Sequence, residues 1–222
     1  MPYVETIVSV PFDENTYVFW LDGREDCLIV DPGMQPRKIV ELVDSHILTP
    51  AAVLLTHGHS DHIFGNAAMK KRWPDCPLII GAGDAYKLTD PVGNLSAGFG
   101  MPFTSPPADQ TVAEGDRLEL AGMTLAVLET PGHSAGHVTF VTEAEGRQHV
   151  ISGDVLFRGS VGRTDFFDGD FNQLRDAIHT KLFTLRDDAL VYPGHGPTTT
   201  IAFEREHNPV VGLAAEQSRP SN

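Results

Sequence analysis

Three imidazoles and a carboxylate fall within six consecutive positions, His57-Gly58-His59-Ser60-Asp61-His62, directly after the apolar run Ala51-Ala52-Val53-Leu54-Leu55. No other segment restricts the fold as much. The apolar run predicts a short buried strand, so the cluster lies in the loop at its carboxyl end, where open α/β sheets keep their ligand sites. Such a density is too high for core histidines, each of which needs its own buried hydrogen-bond partner. Nitrogen and carboxylate oxygen donors at this spacing suit a borderline divalent ion such as Zn²⁺, and the same donors accept Fe or Mn. In an extended stretch, residues two apart point the same way, so His57 and His59 converge on one ion. Asp61 and His62 stand where the chain turns into a helix predicted over 63–72, and they project along another direction. The pattern points to two adjacent ions. A solvated His-rich tract is the alternative, but such tracts are compositional and rarely follow a buried strand.

Strands are predicted over 4–11, 16–21 and 27–30, with Asp22-Gly23 as the hairpin turn between the last two. Ile39, Leu42, Val43 and Ile47 carry a helical period over 37–46, which Pro50 stops. Pro77-Leu78-Ile79-Ile80 is a further buried strand. Residues 89–110 are rich in Gly, Pro and Ser, and too long for an ordinary connection. The apolar residues within them, Leu95, Phe99, Met101 and Phe103, predict a lid packed over something rather than a plain crossover. The second half repeats the logic. It has a hairpin over 117–120 and 123–128 around Ala121-Gly122, strands over 138–142, 149–152 and 189–192, and a helix over 171–185. Interleaved strands and helices give an α/β class, and the hairpins imply mixed sheets. No linker composition divides the chain, so 1–222 reads as one domain.

A chain of 222 residues, 41% hydrophobic and 21% charged, belongs with ordinary soluble globular proteins. Sixteen basic against thirty acidic residues give a formal net charge of −14. The only basic run is Lys70-Lys71-Arg72, so no nucleic-acid partner is expected. An acidic surface repels anionic substrates at long range, which leaves anchoring to local cations. Cys27 and Cys76 lie in or beside apolar runs and read as buried free thiols. Residues 1–11 carry no basic flank and no apolar core of signal-peptide length. No stretch approaches the roughly 20 apolar residues of a membrane span. The expectation is a soluble, cytoplasmic protein with a small-molecule substrate.

Three further polar residues each stand just past an apolar strand and beside glycine: His133 in Thr130-Pro131-Gly132-His133, Asp154 in Ile151-Ser152-Gly153-Asp154, and His195 in Tyr192-Pro193-Gly194-His195-Gly196. Glycine beside a ligand allows unusual backbone angles and close approach. Taken with His57, His59, Asp61 and His62 they make seven candidates. The set resembles the metallo-β-lactamase superfamily, whose HxHxDH, His, Asp, His pattern is complete and in order here, with Asn15-Thr16-Tyr17 and Asp31-Pro32-Gly33 matching upstream. The resemblance implies a four-layer αββα sandwich of two mixed β-sheets flanked by helices. It also implies that His57, His59 and His133 hold a first metal, that Asp61, His62 and His195 hold a second, and that Asp154 bridges both. Such a pair of ions brings the pKa of bound water from near 15.7 down to roughly 7, so a metal-bound hydroxide attacks a carbonyl with no Ser or Cys nucleophile. Asp61, the one carboxylate of the first cluster, also steers the water proton. His137 resembles a family position that does not ligate, and a role hydrogen-bonding a ligand is expected for it. His46, His149, His179 and His207 have no supporting neighbours.

The string Gly153-Asp154-Val155-Leu156-Phe157-Arg158-Gly159-Ser160-Val161-Gly162-Arg163-Thr164-Asp165-Phe166 is similar to the hydroxyacylglutathione hydrolase (glyoxalase II) branch, above all its short bacterial forms. That likeness implies a hydrolase of glutathione-type thioesters. A basic residue in the place of Arg163 lies near the glutathione glycine carboxylate in that branch, and the planar fork of Arg suits the task. The alternative is a structural Arg163 paired with Asp165 or Asp168. The full-length forms carry a C-terminal helical region that supplies much of the thiol site. Here residues 196–222 leave room for one helix and a tail, so no separate C-terminal domain is expected and the thiol need not be glutathione. The string is also similar to persulfide dioxygenases, which use a single iron, here on His57, His133 and Asp154. Gly162-Arg163-Thr164-Asp165-Phe166 fits that branch, whereas Ser160 and the segment around His195 look more like the hydrolases. A third reading, of another class, is a binding module braced by metal without catalysis. Structural zinc sites, however, are normally closed and rich in Cys.

Overall fold

Alternate side chains of the central strands face two different cores, which is why these strands read as continuous apolar runs rather than as polar–apolar alternation. In β2 (Glu14–Trp20), β3 (Asp26–Val30) and β4 (Thr49–Leu55), the side chains of Tyr17, Phe19, Leu28, Val30, Ala52 and Leu54 pack in one core. Val18, Trp20, Cys27, Ile29, Val53 and Leu55 pack in another. The first core is shared with a second sheet, through Leu125, Val127, Phe140, Ile151 and Tyr192. The second lies under α1 (Pro36–Ser45) and α3 (Asn66–Arg72), which contribute Ile39, Val43 and Met69. A third core, holding Val141, Val150, Val191, Leu174 and Ile201, joins the far face of the second sheet to α4 (Phe171–Ala177) and α5 (Ile201–His207). The layers are therefore helix, sheet, sheet, helix. The computed structural model describes residues 2–213 and 215. The expected single domain over 1–222 extends at both ends to positions outside the described residues.

The first sheet runs β1 (Tyr3–Ser9), β2, β3, β4, β5 (Leu78–Gly81), β6 (Gln110–Val112). Its first two pairings are antiparallel and the remaining three parallel. The second sheet contains β7 (Arg117–Leu120), β8 (Met123–Glu129), β9 (Val138–Ala144), β10 (Arg147–Gly153), β13 (Leu190–Pro193) and β14 (Thr199–Thr200), in the order β14-β13-β10-β9-β8-β7. Only its β10–β13 pairing is parallel. A small hairpin of β11 (Leu156–Phe157) and β12 (Ser160–Val161) stands apart. Both main sheets are mixed, as expected.

Two predicted helices are broken. The segment read as one helix over 63–72 is α2 (Ser60–Ile63) followed by α3, with the break at Gly65. Gly65 N donates to Pro32 O at 2.7 Å, and a β-carbon there would stand 2.7 Å from that carbonyl. The helix thus starts earlier than its apolar period suggests and takes Asp61 and His62 into its first turn. The helix over 171–185 begins at Asp170, whose carboxylate accepts from Asn172 N and Gln173 N, and widens after Ala177 into a looser turn over Ile178–Leu182. No helix among the described residues is long and apolar enough to cross a membrane.

Candidate metal centre

Four strands deliver the seven candidates to one edge of the sandwich. His57, His59, Asp61 and His62 follow β4, His133 follows β8, Asp154 follows β10 and His195 follows β13. A hydrogen bond from Val138 N to Thr56 O, 2.8 Å, ties the two sheets together at that edge. Two glycines make the convergence possible. Gly153 turns with φ +48° beside Thr56 and His137, and a β-carbon on Gly194 would collide with the Asp154 carboxylate.

Three groups of donor atoms gather there, each within 4.8 Å: His57 with His59 and His133, His57 with His62 and Asp154, and Asp61 with His62 and His195. Asp154 lies between them. Its Oδ2 is 3.4 Å from both His133 Nε2 and His195 Nε2, and its Oδ1 is 3.4 Å from His62 Nε2. Asp61 Oδ2 is 3.5 Å from His195 Nε2 and 3.8 Å from His62 Nε2. Two donors that share a tetrahedral ion at about 2.0–2.1 Å stand about 3.3–3.4 Å apart, so these separations match the edges of a coordination shell.

The tautomers support the same use. His133 Nδ1 donates to Arg163 O at 2.8 Å and His195 Nδ1 to Phe12 O at 3.0 Å, because a carbonyl can only accept. His62 Nδ1 donates to Asp31 Oδ2 at 3.1 Å, and His57 Nδ1 meets Thr56 Oγ1, whose own proton goes to Asp31 Oδ2. In its neutral form each of these four rings carries its lone pair on Nε2. His57 Nε2, His62 Nε2 and Asp154 Oδ1 are buried with no hydrogen-bond partner. So is His59 Nε2, although that ring turns its Nδ1 to within 2.9 Å of His133 Nε2. Lone pairs buried without donors are costly unless a cation takes them. The donor set fits a divalent metal.

The charge distribution divides the cluster. Burial, aided by neighbouring imidazoles, holds His57 and His59 well below the ordinary histidine range, and burial lowers His133 as well. His62 behaves oppositely: burial pulls it down, but the charges of Asp154 and Asp61 carry it well above the ordinary value. Burial likewise opposes a proton on His195, yet hydrogen bonds to Asp154 and Asp61 push it up to about 10. Burial alone would raise the two carboxyls. His62 and His195 nevertheless keep Asp61 below the usual range, and His62 and His133 keep Asp154 well below it. The carboxylates attract positive charge, and protons compete with metal for it.

Residues 10–195 match the family model of the metallo-beta-lactamase superfamily. This chain belongs to the metallo-beta-lactamase superfamily. It is 39% identical over 201 residues to a probable metallo-hydrolase, YqgX of Bacillus subtilis, spanning 90% of this chain and 92% of that one. It is 34% identical over 209 residues to the hydroxyacylglutathione hydrolase GloC of Haemophilus influenzae, spanning 93% and 96%. Among solved structures, the BLEG-1 B3 metallo-beta-lactamase superposes with a TM-score of 0.89 at 36% identity, over 94% of this chain and 99% of that one. TTHA1623, solved in a di-iron-bound form, superposes with a TM-score of 0.79 at 35% identity, over 93% and 99%.

In this superfamily member a second layer of side chains, mostly missed in the sequence, braces the cluster. Asp31, in the left-handed region at φ 48°, accepts from Thr56 N, Thr56 Oγ1 and His62 Nδ1. It follows an apolar strand, as Asp154 does, but Pro32 separates it from Gly33. Lys87 is fully buried and donates to Asp168 Oδ2 at 2.6 Å and to Ser134 Oγ, with Asp84 Oδ1 at 3.4 Å. Asp84 accepts from Gly58 N, Ser134 Oγ and Gly136 N, so it joins the loop of His57 and His59 to the loop of His133. Nothing in the spacing of Asp84 and Lys87 separates them from an exposed helical pair. His137 accepts from Asp154 N at 3.1 Å, and its Nδ1 lies 3.0 Å from Thr130 Oγ1. His149 meets Tyr192 Oη and His179 donates to Val211 O, both away from the cluster.

Phe12, Leu95, Phe99, Phe166 and Arg163 wall the cleft above His59, Asp61, His133, Asp154 and His195. Two apolar members of the 89–110 segment thus pack over the site. Arg163 is exposed, forks onto Asp165 at 2.6 and 2.7 Å, and stacks over Phe166 at 4.4 Å. Asp168 is taken by Lys87 instead. A hollow of about 720 Å³ elsewhere, lined by Leu21, Arg117, Thr124 and Gln148 among others, holds no histidine.

Proposed function

We propose that the protein is a metal-dependent hydrolase of thioesters of the hydroxyacylglutathione type, with two divalent ions, Zn first and Fe or Mn as alternatives. The observation that carries this reading is Asp154, whose two oxygens stand between His62, His133 and His195 at ligand-edge distances. His57, His59 and His133 would hold the first ion and Asp61, His62 and His195 the second, with Asp154 shared between the two groups. The likeness to GloC supports the thioester. The whole of 1–222 works as one domain, in the cytoplasm, where buried Cys27 and Cys76 stay reduced and burial pushes their thiols up to about 12 and about 11.

Bound divalent ions supply ionised water near neutral pH and polarise a carbonyl. The chain's own residues do the rest. Asp61 is ionised and its side chain faces the cleft, partly exposed, so its Oδ2 orients water and guides its proton. A carboxylate held below the usual range is a weak base, so that proton is passed on rather than kept. Leu95 and Phe99 limit bulk water at the reacting carbonyl. Arg163 offers its guanidinium to a carboxylate on the thiol arm, in exchange for Asp165.

The test is metal analysis combined with turnover of lactoylglutathione by the metal-loaded protein. Two ions per chain with hydrolysis is the expected result. One iron with oxygen uptake on glutathione persulfide would make it a dioxygenase using His57, His133 and Asp154. Hydrolysis of a β-lactam alone would move it to another branch, and bound metal with no turnover would leave a metal-braced binding module.

A further inference from the structure

Among the described residues, six other than glycine have φ in the left-handed region, which costs a residue that carries a β-carbon. Ala121 and Glu145 each precede a glycine in the two-residue turns that join β7 to β8 and β9 to β10, where both turn positions need a positive φ. Asp13 and Asp31 carry the short polar side chain that best tolerates this conformation. The two bulky residues, Ile47 and Leu95, each end a helical turn, a place where glycine is the usual occupant. Ile47 follows α1 and leaves its side chain in solvent, 79% exposed. Leu95, at φ 70°, ends a single turn in which Asn94 N donates to Asp90 O at 2.9 Å and Leu95 N to Val92 O at 3.1 Å. Its side chain goes into the metal cleft instead.

The residues on either side of Leu95 are fixed. Asn94 and Ser96 are buried, Asn94 Nδ2 donates to Phe103 O at 3.1 Å, and Ser96 N donates to Asn94 Oδ1 at 3.0 Å. Asn94 O accepts from Ser60 N at 2.9 Å, which sets the turn against the helix that carries Asp61. A left-handed leucine persists only where its surroundings over-determine it, and such positions gather at functional sites. Leu95 lines the cleft with Phe12, Phe99 and Asp61, whereas Arg163 lines it with Phe166, whose ring meets those of His59 and His133 edge-on at 5.1 and 5.7 Å. The cleft holds about 220 Å³. That is below the roughly 300–1,000 Å³ of a pocket that encloses a whole small molecule, so only the reacting end of a thioester fits inside. We propose that Leu95 is a specificity-determining residue: its side chain closes the acyl end of the cleft, so that short acyl groups reach the donor cluster and long-chain or aryl groups do not. The thiol arm then leaves along Arg163 and Phe166. The division into two arms rests on the thioester hydrolase reading above.

Two substitutions separate backbone from side chain. Leu95→Ala and Leu95→Gly both shorten the side chain, but only glycine relaxes the left-handed backbone, so the glycine variant is expected to melt about 2–4 °C above the alanine variant. A glycine variant that melts no higher shows that the turn does not hold Leu95 in place, and overturns the proposal. On the metal-loaded enzyme, kcat/KM is measured for the hexanoyl and acetyl thioesters of N-acetylcysteamine, whose intrinsic reactivities cancel when variants are compared. The hexanoyl-to-acetyl ratio is expected to rise about tenfold or more in both variants. Calorimetry with acetate and pivalate reads the same wall without turnover. Pivalate is expected to bind about tenfold more weakly than acetate to the metal-loaded wild type, and the gap to close to about twofold in the variants. Thioester hydrolysis with an unchanged ratio and an unchanged pivalate gap overturns the role of Leu95 and leaves the hydrolase reading intact. A gap that narrows while no thioester is hydrolysed sinks that reading and supports Leu95 as the steric limit of the cleft.

Discussion

The two halves of the donor cluster are built differently. His57, His59 and His133 are buried imidazoles whose pKa values are lowered, set in loops that the buried Lys87, Asp84 and Ser134 lock together. Asp61, His62 and His195 pair a carboxylate with imidazoles of raised pKa, and His195 and Asp61 are partly open to the cleft. The first half is neutral and rigid, ready to offer lone pairs. The second is charged and partly open to the cleft, so protons would compete there with any cation that binds. Rigidity and reactivity are thus placed on opposite sides of Asp154.

Removing the residue that both halves share tests the division most severely. Asp154→Ala should lower turnover by about 10³-fold or more and reduce metal content at both halves, checked by steady-state kinetics and metal analysis. If only one half lost metal, Asp154 would not be shared. Lys87→Met should strike the braced half. It leaves the buried Asp84 and the half-buried Asp168 without their cation, a loss of about 3–5 kcal/mol in urea denaturation if the brace is real. Asp31→Ala frees His62 Nδ1 and Thr56, and is expected to weaken metal binding at the open half by about 10–100-fold in a competition titration.

The pH response should separate the halves without mutation. His57, His59 and His133 have lowered pKa values, so they are already unprotonated near neutrality, and metal binding to them should release few protons. His62 and His195 have raised values, that of His195 about 10, so each must shed a proton to bind. Metal affinity at the open half should therefore fall as pH falls, by about tenfold per pH unit for each such proton, while the braced half stays flat. Calorimetry in buffers of different ionisation enthalpy counts those protons, and equal release from both halves would erase the distinction. Arg163→Ala should have the smallest effect, raising KM a few-fold for a thioester whose thiol carries a carboxylate and leaving kcat nearly unchanged. An unchanged KM would mean that Asp165 is the sole partner of the guanidinium.

The sequence displayed the parts of the site that face inward and hid what holds them. The seven candidates were legible because each follows an apolar strand and adjoins glycine or another donor, and the structure brings all of them together. The double-cored strands were legible as apolar runs, from which the layered architecture follows. Lys87 was not, because a buried lysine and an exposed one look alike in a chain; only the approach of Asp168 and Ser134, distant in sequence, distinguishes it. The break at Gly65 was missed because its cause, the Pro32 carbonyl, arrives from another loop. The two-residue strands β11, β12 and β14 are too short to show any period.

The edge where Val138 N meets Thr56 O has a consequence for folding. Donors drawn from positions 57 to 195 meet only after both sheets have stacked, so an ion captured there works as a clasp on the finished sandwich and has little hold on the unfolded chain. Loading the protein with metal should then raise its melting temperature as a whole, without creating a separately melting piece, and stripping it should soften both sheets at once.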